Sequence, residues 1–287
     1  GTTTIKAGTL VAGGDALSGT DGVLGNATSA VLLGDVTGSA DAALLTNGAY
    51  TIARAITVQA GSTGTATIGG NSAHSSSFTG NIVLNKSAIL TAISGGTATF
   101  STGVISGTGG ITKTDAGTVI LSGTNTYTGA TTVSAGVLRA ANAAALGTTD
   151  NGTTVANGAA LELSGGLTFN AEALTIDGTG ISSGGALRNV SGANIFQGAI
   201  TLGAQSTTSI NADTGTTLTL NATTAITGNA AGTKTIQFGG AGNTSVSGAI
   251  IPASSTLSLT KVDGGTLTLS GTNTYTGATT VSAGVLR

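Results

Sequence analysis

The sequence predicts an all-β chain wound into a β-solenoid, in which successive coils stack on one another. Three observations predict this class. Short apolar runs alternate with turn residues along the whole chain, a long string is repeated without change, and the two repeat units differ by about one coil of residues. Repeats that each add a layer to a stack are typical of solenoids.

The composition favours a folded β chain. Charged residues make up 7% of the 287 residues and the mean hydropathy is +0.36, whereas disordered chains are polar and rich in charge or proline. The chain has no cysteine, which excludes disulfide frameworks and thiol chemistry. A formal net charge of −2 provides neither the basic face of a nucleic-acid-binding protein nor a polybasic membrane patch. No apolar run reaches the roughly 18 residues of a membrane-spanning helix, so we expect no direct membrane insertion of this segment.

Short strands are predicted along the whole chain. Runs of about 4 to 6 residues are separated by Gly, Asn, Asp or Ser, and no longer stretch holds a helical period. An antiparallel sandwich of about 100 residues per domain would show similar strands. The repeats and the inserted length favour the solenoid.

The repeated string sets the organisation of the chain. LSGTNTYTGATTVSAGVLR occupies residues 121–139 and returns unchanged at 269–287, and the first twelve residues, GTTTIKAGTLVA, match GATTVSAGVLRA at 7 of 12 positions. Gly1, Gly129 and Gly277 are therefore equivalent. We predict a single β-solenoid over 1–287 with internal units 1–128 and 129–276 and the start of a third, 277–287.

The second unit is longer than the first by about 20 residues, and the excess falls near residues 228–249. One added coil of a solenoid would explain this length. Ile236 and Val246 should then lie in the apolar stack of the neighbouring coils. At about 20 residues a coil, the chain would form roughly 14 coils.

The two copies of the string predict which side chains point inward. Successive side chains of a strand point to opposite faces, so positions that stay apolar in both copies should be buried. Ile120 is matched by Thr268 and should point outward. A bend is predicted at Gly136 because glycine accepts backbone angles that a side chain forbids. The predicted inward residues are Val119, Leu121, Val133 and Leu138, with Leu267, Leu269, Val281 and Leu286 in equivalent rungs.

Few residues suggest catalysis. His74 is the only histidine and no G-x-S-x-G frames a serine, so we expect an exposed loop histidine. Glu162 and Glu172 are the only glutamates and each lies in a strand-like run, whereas cleavage of a glycosidic bond needs two carboxylates about 5–9 Å apart. No residue is assigned as catalytic, cofactor-binding or metal-binding. Three or more charged side chains converging in a groove would instead favour a carbohydrate-active enzyme.

Lysine and aspartate recur at a spacing of two residues in both copies. Lys113 precedes Asp115, and Lys261 precedes Asp263. We interpret both as surface ion pairs, which contribute at most about 1 kcal/mol each.

Tyrosine and threonine leave two binding alternatives open. Tyr127 and Tyr275 occupy equivalent positions in TNTYT, and we expect them to stabilise a corner between coils, with a carbohydrate-binding aromatic as the alternative. The T-x-T spacing, as in TLT and TKT, would suit an ice-binding or glycan-binding surface if the pairs formed a single flat file. Outward threonine is otherwise a common strand residue.

The string and its lead-in resemble a known repeat. GGITKTDAGTVILSGTNTYTGATTVSAGVLRA, residues 109–140, is similar to the autotransporter-associated β-strand repeat, also called the passenger-associated transport repeat. The resemblance is close over 109–140 and 265–287, looser from Leu259, and partial in the first twelve residues. Asp115 and Asp263 stand where the family usually has glycine, and aspartate tolerates the left-handed turn that glycine would supply.

The resemblance implies a right-handed parallel β-helix in the secreted passenger of a bacterial type V secretion system. We therefore expect a non-enzymatic stalk or fibre segment of an autotransporter-like adhesin, on the bacterial cell surface, outside the outer membrane, or in a secreted fibre. No cofactor and no nucleic acid are expected. The expected partners are neighbouring repeats or copies stacked end to end, with surface glycans or host matrix as further partners. A carbohydrate-active β-helix enzyme and a glycan- or ice-binding threonine-rich module remain as alternatives.

Overall fold

The computed structural model describes residues 1–228, 232–253 and 255–287, and this part of the chain is an all-β parallel β-solenoid of about 11 turns. The paired strands run parallel, and the helix in the described residues is one 3-10 turn at Ile181–Ser183. None of the helical structure described is long and apolar enough to cross a membrane. The predicted fold class is confirmed.

The chain forms two compact units. Unit 1 comprises Gly1–Thr132, Gly136–Arg139 and Ala144–Asn151. Unit 2 comprises Val133–Ala135, Ala140–Ala143 and Gly152–Arg287. The bounds of the sequence repeats at 128 and 276 stay a prediction.

Unit 1 contains three parallel sheets, and the second to fifth coils each add one strand to each sheet. The first sheet holds β1 (Thr4–Ile5), β3 (Val31–Leu33), β6 (Ile56–Val58), β9 (Ile82–Leu84) and β12 (Ile105–Gly107). The second holds β2 (Gly8–Ala12), β4 (Ala42–Thr46), β7 (Ala66–Gly70), β10 (Ala88–Ala92) and β13 (Ile111–Thr114). The third holds β5 (Thr51–Ile52), β8 (Ser75–Phe78), β11 (Thr97–Phe100) and β14 (Thr118–Leu121). Two further strands, β15 (Thr131–Val133) and β16 (Val137–Ala140), have residues in both units.

Unit 2 also contains three parallel sheets. The first holds β17 (Thr153–Val155), β20 (Leu174–Ile176), β23 (Ile200–Leu202), β26 (Thr224–Gly228) and β29 (Ala249–Ile251). The second holds β18 (Ala160–Ser164), β21 (Leu187–Ser191), β24 (Thr207–Ala212), β27 (Gly232–Gly239), β30 (Ser255–Lys261) and β32 (Thr279–Val281). The third holds β19 (Thr168–Phe169), β22 (Ala193–Phe196), β25 (Thr217–Leu220), β28 (Asn243–Val246), β31 (Thr266–Leu269) and β33 (Val285–Leu286).

The predicted number of coils, roughly 14, is too high. In unit 1, Ile56 pairs with Ile82 and Ile82 pairs with Ile105. One turn therefore extends from Ile56 to Ile82, and the next extends from Ile82 to Ile105. In unit 2 one turn extends from Thr207 to Thr235. Each of these turns uses more chain than the predicted coil, because three strands and three corners must fit in it. The described structure therefore has about 11 turns.

Apolar side chains stack in columns inside each unit. The rings of Phe78 and Phe100 lie in successive rungs of unit 1, stacked with centroids 4.8 Å apart and 11° between their planes. Each fully buried residue of this kind contributes about 1.5–3 kcal/mol, which offsets the ordering of its coil. The corresponding column in unit 2 is Phe169, Phe196, Leu220 and Val246.

The residues near 228–249 form one coil in line with its neighbours, as predicted. β27, β28 and β29 each pair with one strand of the preceding coil, and β27 and β28 with one of the following coil. Ile236 and Val246 are fully buried between these strands. Residues 229–231 of the predicted coil lie outside the described residues.

The predicted side-chain directions are confirmed. Val119, Leu121, Val133 and Leu138 are fully buried, whereas Ile120 is only half-buried. The second copy places its residues at the equivalent strand positions, and Leu267 is again buried. Leu269 and Leu286 are half-buried and Val281 is 49% exposed, because β32 and β33 have a paired strand on one side only in the described structure.

Candidate functional site: the repeated module

The candidate site is the repeated string with its lead-in, called here the first module (residues 111–139) and the second module (residues 259–287). Each module runs strand, aspartate turn, strand, NTYTG corner, strand, glycine turn, strand. The strands are β13 to β16 in the first module and the end of β30 with β31 to β33 in the second.

The lysine of the first module is fully buried. Lys113 occupies the inward column that contains Leu44, Ile68 and Leu90. Its Nζ donates hydrogen bonds to the main-chain oxygens of Thr114 at 2.6 Å and Asp115 at 2.7 Å. The predicted surface ion pair is therefore wrong. The strand parity that turns Ile111 inward also turns Lys113 inward, so its ammonium group binds the carbonyls of the following turn.

The second module repeats this arrangement. Lys261 is 2% exposed, follows Ile210 and Phe238 in an inward column, and donates to the main-chain oxygens of Val262 and Asp263, the latter at 2.8 Å. The predicted surface pair with Asp263 is wrong here for the same reason. The lysine is thus a structural part of both modules.

Glycine closes the lysine site in both modules. Gly136 and Gly284 have φ of 66° and 75°, and a Cβ at either position would lie within 2.8 Å of the lysine Nζ and within 2.5 Å of main-chain oxygens. The predicted bend at Gly136 is confirmed. A second reason for glycine here is the close approach of the buried ammonium group.

Burial changes the titration of both lysines. Loss of solvent lowers the pKa of Lys113 to about 8, against the opposing charge of Asp115. Burial also lowers the pKa of Lys261, with Asp263 acting in the opposite direction. Both ammonium groups are buried and donate hydrogen bonds to main-chain oxygens. Neither is exposed to solvent, as a nucleophile or a ligand-binding cation would have to be.

Two buried cations, Arg54 and Lys234, and the half-buried Lys86 bind turn carbonyls elsewhere in the chain as well. Arg54 Nε donates to Ser29 O at 2.9 Å, Lys86 Nζ to Ser62 O at 2.8 Å, and Lys234 Nζ to Gln205 O at 3.0 Å. Sequence reasoning missed this role. Lys113, Lys234 and Lys261 carried a signal for it, because each lies in a strand whose alternation fixes the inward side.

The aspartate turn has the backbone predicted for it. Asp115 and Asp263 have φ of 61° and 58°, which lie in the left-handed region of backbone conformation. The repeat that the string resembles usually has glycine at these positions. The carboxylate of Asp115 accepts a hydrogen bond from Thr91 Oγ1, and that of Asp263 accepts one from Gly240 N at 2.7 Å. The carboxylates therefore tie each turn to the preceding coil.

The NTYTG corner is held by its asparagine and tyrosine. Asn125 Oδ1 accepts a hydrogen bond from Ile105 N at 3.0 Å, and its Nδ2 donates to Ala145 O at 2.7 Å. The Tyr127 hydroxyl lies 2.7 Å from Thr131 Oγ1, and the ring is fully buried. Tyr127 is therefore a corner residue and cannot stack on a sugar. Tyr275, with its hydroxyl 2.9 Å from Thr279 Oγ1, is half-buried.

The residues singled out for catalysis lie apart from the modules. His74 is exposed in a bend, as predicted, with Nδ1 3.3 Å from Ser72 Oγ. Glu172 is buried and accepts a hydrogen bond from Thr153 Oγ1 at 2.8 Å. Its burial raises the pKa of Glu172 to about 7, and the Thr153 hydrogen bond opposes that rise.

Three charged side chains meet on neighbouring rungs of unit 2. Arg188 Nε and Nη2 each donate to one oxygen of the Asp213 carboxylate at 2.8 Å, and Nη1 lies 3.7 Å from Glu162 Oε1. The hydrogen bonds that Arg188 donates to Asp213 are the main cause that raises the pKa of Arg188. One arginine thus pairs with two carboxylates, which forms an ion-pair ladder. Among the described residues no group of three or more His, Cys, Asp or Glu could hold a metal ion.

Outward threonines form files in unit 2. Thr154, Thr175, Thr201 and Thr227 occupy successive rungs as a single column. Two T-x-T pairs of unit 2 lie in β25 and β31, and Asn243 and Ser245 of β28 stand between them. The flat file of T-x-T pairs required for the ice-binding alternative is interrupted there.

Comparisons with known proteins match the same residues that form the two modules. Residues 111–140 and 259–287 match the family described as passenger-associated-transport-repeat. Over 120 residues the chain is 38% identical to a protein of Brucella suis biovar 1 (strain 1330) described as adhesin BmaC autotransporter; the match covers 42% of this chain and 3% of the relative. No solved structure gives a significant match. Two segments of the chain are therefore similar to the passenger-associated transport repeat, and the chain is similar to part of an autotransporter adhesin.

Proposed function

We propose that the chain is a non-enzymatic structural segment of the passenger of a bacterial autotransporter-like adhesin, exposed on the cell surface or secreted. The observation that carries the proposal is the role of the unchanged residues. Asn125 and Tyr127 hold a corner and Lys113 holds a turn, and each of these side chains is buried. The residues that are unchanged between the two copies thus stabilise the coil itself, which is what we expect of a stalk.

The fold suits a spacer. Each coil donates and accepts its main-chain hydrogen bonds across parallel strands, and each rung adds about 4.8 Å to the stack. Apolar columns stabilise the coils, and the chain has no cysteine for disulfides. Coils can therefore be added or removed without changing the design of their neighbours.

The proposal is tested by display on cells. The chain is placed between an N-terminal epitope and the membrane barrel of an autotransporter, and antibody binding on intact cells and the height of the epitope above the membrane are measured. We expect a displayed epitope that stands farther from the membrane than in a control without the chain. A matched control carries Gly136→Val and Gly284→Val, which prevents closure of both lysine sites. An epitope no farther out than in the control without the chain would contradict the stalk.

A glycan-binding role is the second candidate, and the ladder of Glu162, Arg188 and Asp213 is the observation that favours it. Charged side chains in a row can hydrogen-bond sugar hydroxyls. A glycan array with the chain and with Arg188→Ala tests it, with Lys6→Ala as the matched exposed control. Binding or hydrolysis that is lost only in Arg188→Ala would favour the second candidate over a plain stalk.

A further inference from the structure

Asparagine precedes glycine at three places in the chain, 47–48, 151–152 and 157–158. In such a pair the main-chain nitrogen of the glycine can attack the side-chain carbonyl carbon of the asparagine, because glycine has no side chain to hinder the approach. The attack requires a side-chain amide that is free to turn, a glycine N–H without a hydrogen bond, and solvent at both residues. The structure places the three pairs in different surroundings, so they should differ in reactivity.

The pair at 151–152 is restrained. Asn151 Nδ2 donates a hydrogen bond to Thr128 O at 2.7 Å, and Gly152 is half-buried. The amide that would have to leave as ammonia therefore holds the preceding corner of the coil. Attack at Asn151 requires this hydrogen bond to break first.

The pair at 47–48 is shielded. Asn47 is exposed, but Gly48 is buried against the ring of Tyr50. A Cβ at Gly48 would lie 2.6 Å from that ring, and Gly48 O accepts a hydrogen bond from Tyr50 N at 2.9 Å. The ring thus limits the access of solvent to the nitrogen that would have to attack.

The pair at 157–158 is open. Asn157 and Gly158 are both exposed, and within the described residues neither the Asn157 amide nor the Gly158 N–H takes part in a hydrogen bond. Apart from the two chain neighbours, no atom lies within 4 Å of a Cβ built on Gly158, whose φ is +82°. One hydrogen bond, from Ala159 N to Ala156 O at 3.0 Å, closes the turn. When this bond opens, the Gly158 nitrogen can rotate towards the side chain.

We propose that Asn157 is a site of spontaneous modification, where the side chain converts through a succinimide to aspartate and isoaspartate. The nitrogen of Gly158 attacks Asn157 Cγ. The N–Cγ bond forms, the Cγ–Nδ2 bond breaks, and the amide leaves as ammonia with the proton of the attacking nitrogen. Water then adds to either carbonyl of the ring and opens it, so nothing is oxidised or reduced. The proposal concerns this turn and does not depend on the proposed stalk function.

The modification adds negative charge to a corner of unit 2. A Cβ at Gly178 would lie 2.0 Å from Asn157 Oδ1, so the asparagine side chain lies across Gly178 of the next coil. The neighbouring residue, Asp177, already supplies a carboxylate, which accepts a hydrogen bond from Gln205 N at 2.7 Å. A carboxylate at position 157 adds a like charge there, and isoaspartate also lengthens the main chain of the turn.

The first test compares the three pairs within one chain. The folded 287-residue chain is incubated at pH 8, and deamidation of each asparagine is followed by mass spectrometry, with fragmentation to separate Asn151 from Asn157. We expect Asn157 to react about tenfold faster than Asn151, whose amide must first give up its hydrogen bond. The matched control is the chain unfolded in guanidinium chloride, where the three pairs should react at similar rates. Equal rates in the folded chain, or a faster reaction at Asn47 or Asn151, would overturn the proposal.

The second test identifies the route. Asn157→Gln keeps an amide but would have to form a six-membered ring, so the reaction at position 157 should be lost. The matched control, Asn151→Gln, should leave the reaction at Asn157 unchanged. Isoaspartate at position 157, recognised by its fragment ions, supports the succinimide. Aspartate as the sole product would show direct hydrolysis, and an Asn157→Gln chain that releases ammonia as fast as the wild type would place the reaction elsewhere; either result would overturn the proposal.

Discussion

Lys113 Nζ donates a hydrogen bond to the main-chain oxygen of Asp115 at 2.7 Å, inside the coil and out of contact with solvent. Lys261 and Asp263 repeat the contact at 2.8 Å. In both modules a cation therefore occupies a place that an apolar side chain occupies in the coils before it. The carbonyls of the aspartate turn depend on that cation for their hydrogen bonds.

Replacement of this lysine should destabilise unit 1. Lys113→Met keeps the volume of the side chain but removes the charged donor from two carbonyls, and we expect the free energy of unfolding to fall by about 2–4 kcal/mol. Urea unfolding measures it. The matched control is Lys6→Met, whose side chain is 68% exposed and whose effect should stay within about 0.5 kcal/mol. A Lys113→Met chain as stable as the control would contradict the structural role of the lysine.

Glu172 should make stability depend on pH. Burial raises the pKa of Glu172 from 4.5 to about 7, so the folded chain holds this proton more tightly than the unfolded chain. The resulting stabilisation is fully present below pH 4.5 and is lost as the pH rises through 7. Glu172→Gln keeps an acceptor for Thr153 and removes the titration, so the variant should be more stable than the wild type at pH 8. The urea midpoints of the wild type and the variant are measured at pH 5 and pH 8. If the difference between the two midpoints is the same at both pH values, the raised pKa of Glu172 is contradicted.

The two tyrosines should respond differently to the same substitution. Tyr127→Phe removes the hydroxyl contact to Thr131 in the interior and leaves a buried hydroxyl without that partner, which should cost about 1–2 kcal/mol. Tyr275→Phe removes the equivalent contact at a partly exposed site and should cost less than about 0.5 kcal/mol. Thermal unfolding of both variants checks the difference. Equal losses would show that burial does not distinguish the two corners.

Two adjacent glycines should give opposite results. A Cβ at Gly239 would meet only side-chain ends, Asn211 Oδ1 at 2.7 Å and Asp263 Oδ2 at 2.9 Å, and Asn211 Oδ1 has no hydrogen-bond partner in the described structure. Phe238 pairs with Lys261 as Leu90 pairs with Lys113, so Gly239 stands where the coil before the first module has Thr91, whose hydroxyl donates to Asp115. Gly239→Ser should therefore stabilise the chain by about 0.5–1 kcal/mol.

The matched variant is Gly240→Ser. Gly240 has φ of +83° and its Cβ would lie 2.0 Å from Ala212 O, so this substitution should destabilise by about 2–4 kcal/mol. Denaturant midpoints of the two variants are compared. A Gly239→Ser chain that is destabilised as strongly as Gly240→Ser would mean that a hydroxyl cannot take the place of Thr91.

Much of the module could be predicted from its two copies, because alternation in a strand is a local property. It placed Val119 and Leu121 inside, and the left-handed aspartate turn followed from the resemblance to a repeat that usually has glycine there. The same alternation applied to Lys113, but the general preference of charged groups for the surface was given more weight. Within a buried turn that preference is reversed. Leaving the turn carbonyls without hydrogen bonds would cost more free energy than solvation of the lysine side chain would gain.

The length of the turns could not be predicted in the same way. Corner residues carry no periodic pattern, so the predicted coil length came from the inserted segment alone. The turn that extends from Thr207 to Thr235 is longer than that prediction, because its corners add residues that no repeat reveals. The contact between Glu162 and Arg188 depends on the true turn length, because register alone places them on neighbouring rungs. Such pairs become visible only when every corner between them is known.

The parallel stacking of coils is the central claim, and one distance tests it most directly. Thr154, Thr175, Thr201, Thr227 and Ile251 occupy successive rungs of unit 2, so four rung spacings of about 4.8 Å separate the first and the last. The chain has no cysteine, so spin labels at Thr154→Cys and Ile251→Cys attach only there. Pulsed electron paramagnetic resonance should give one narrow distribution of distances centred at about 20 Å. A broad distribution, or one centred beyond about twice that distance, would contradict the solenoid.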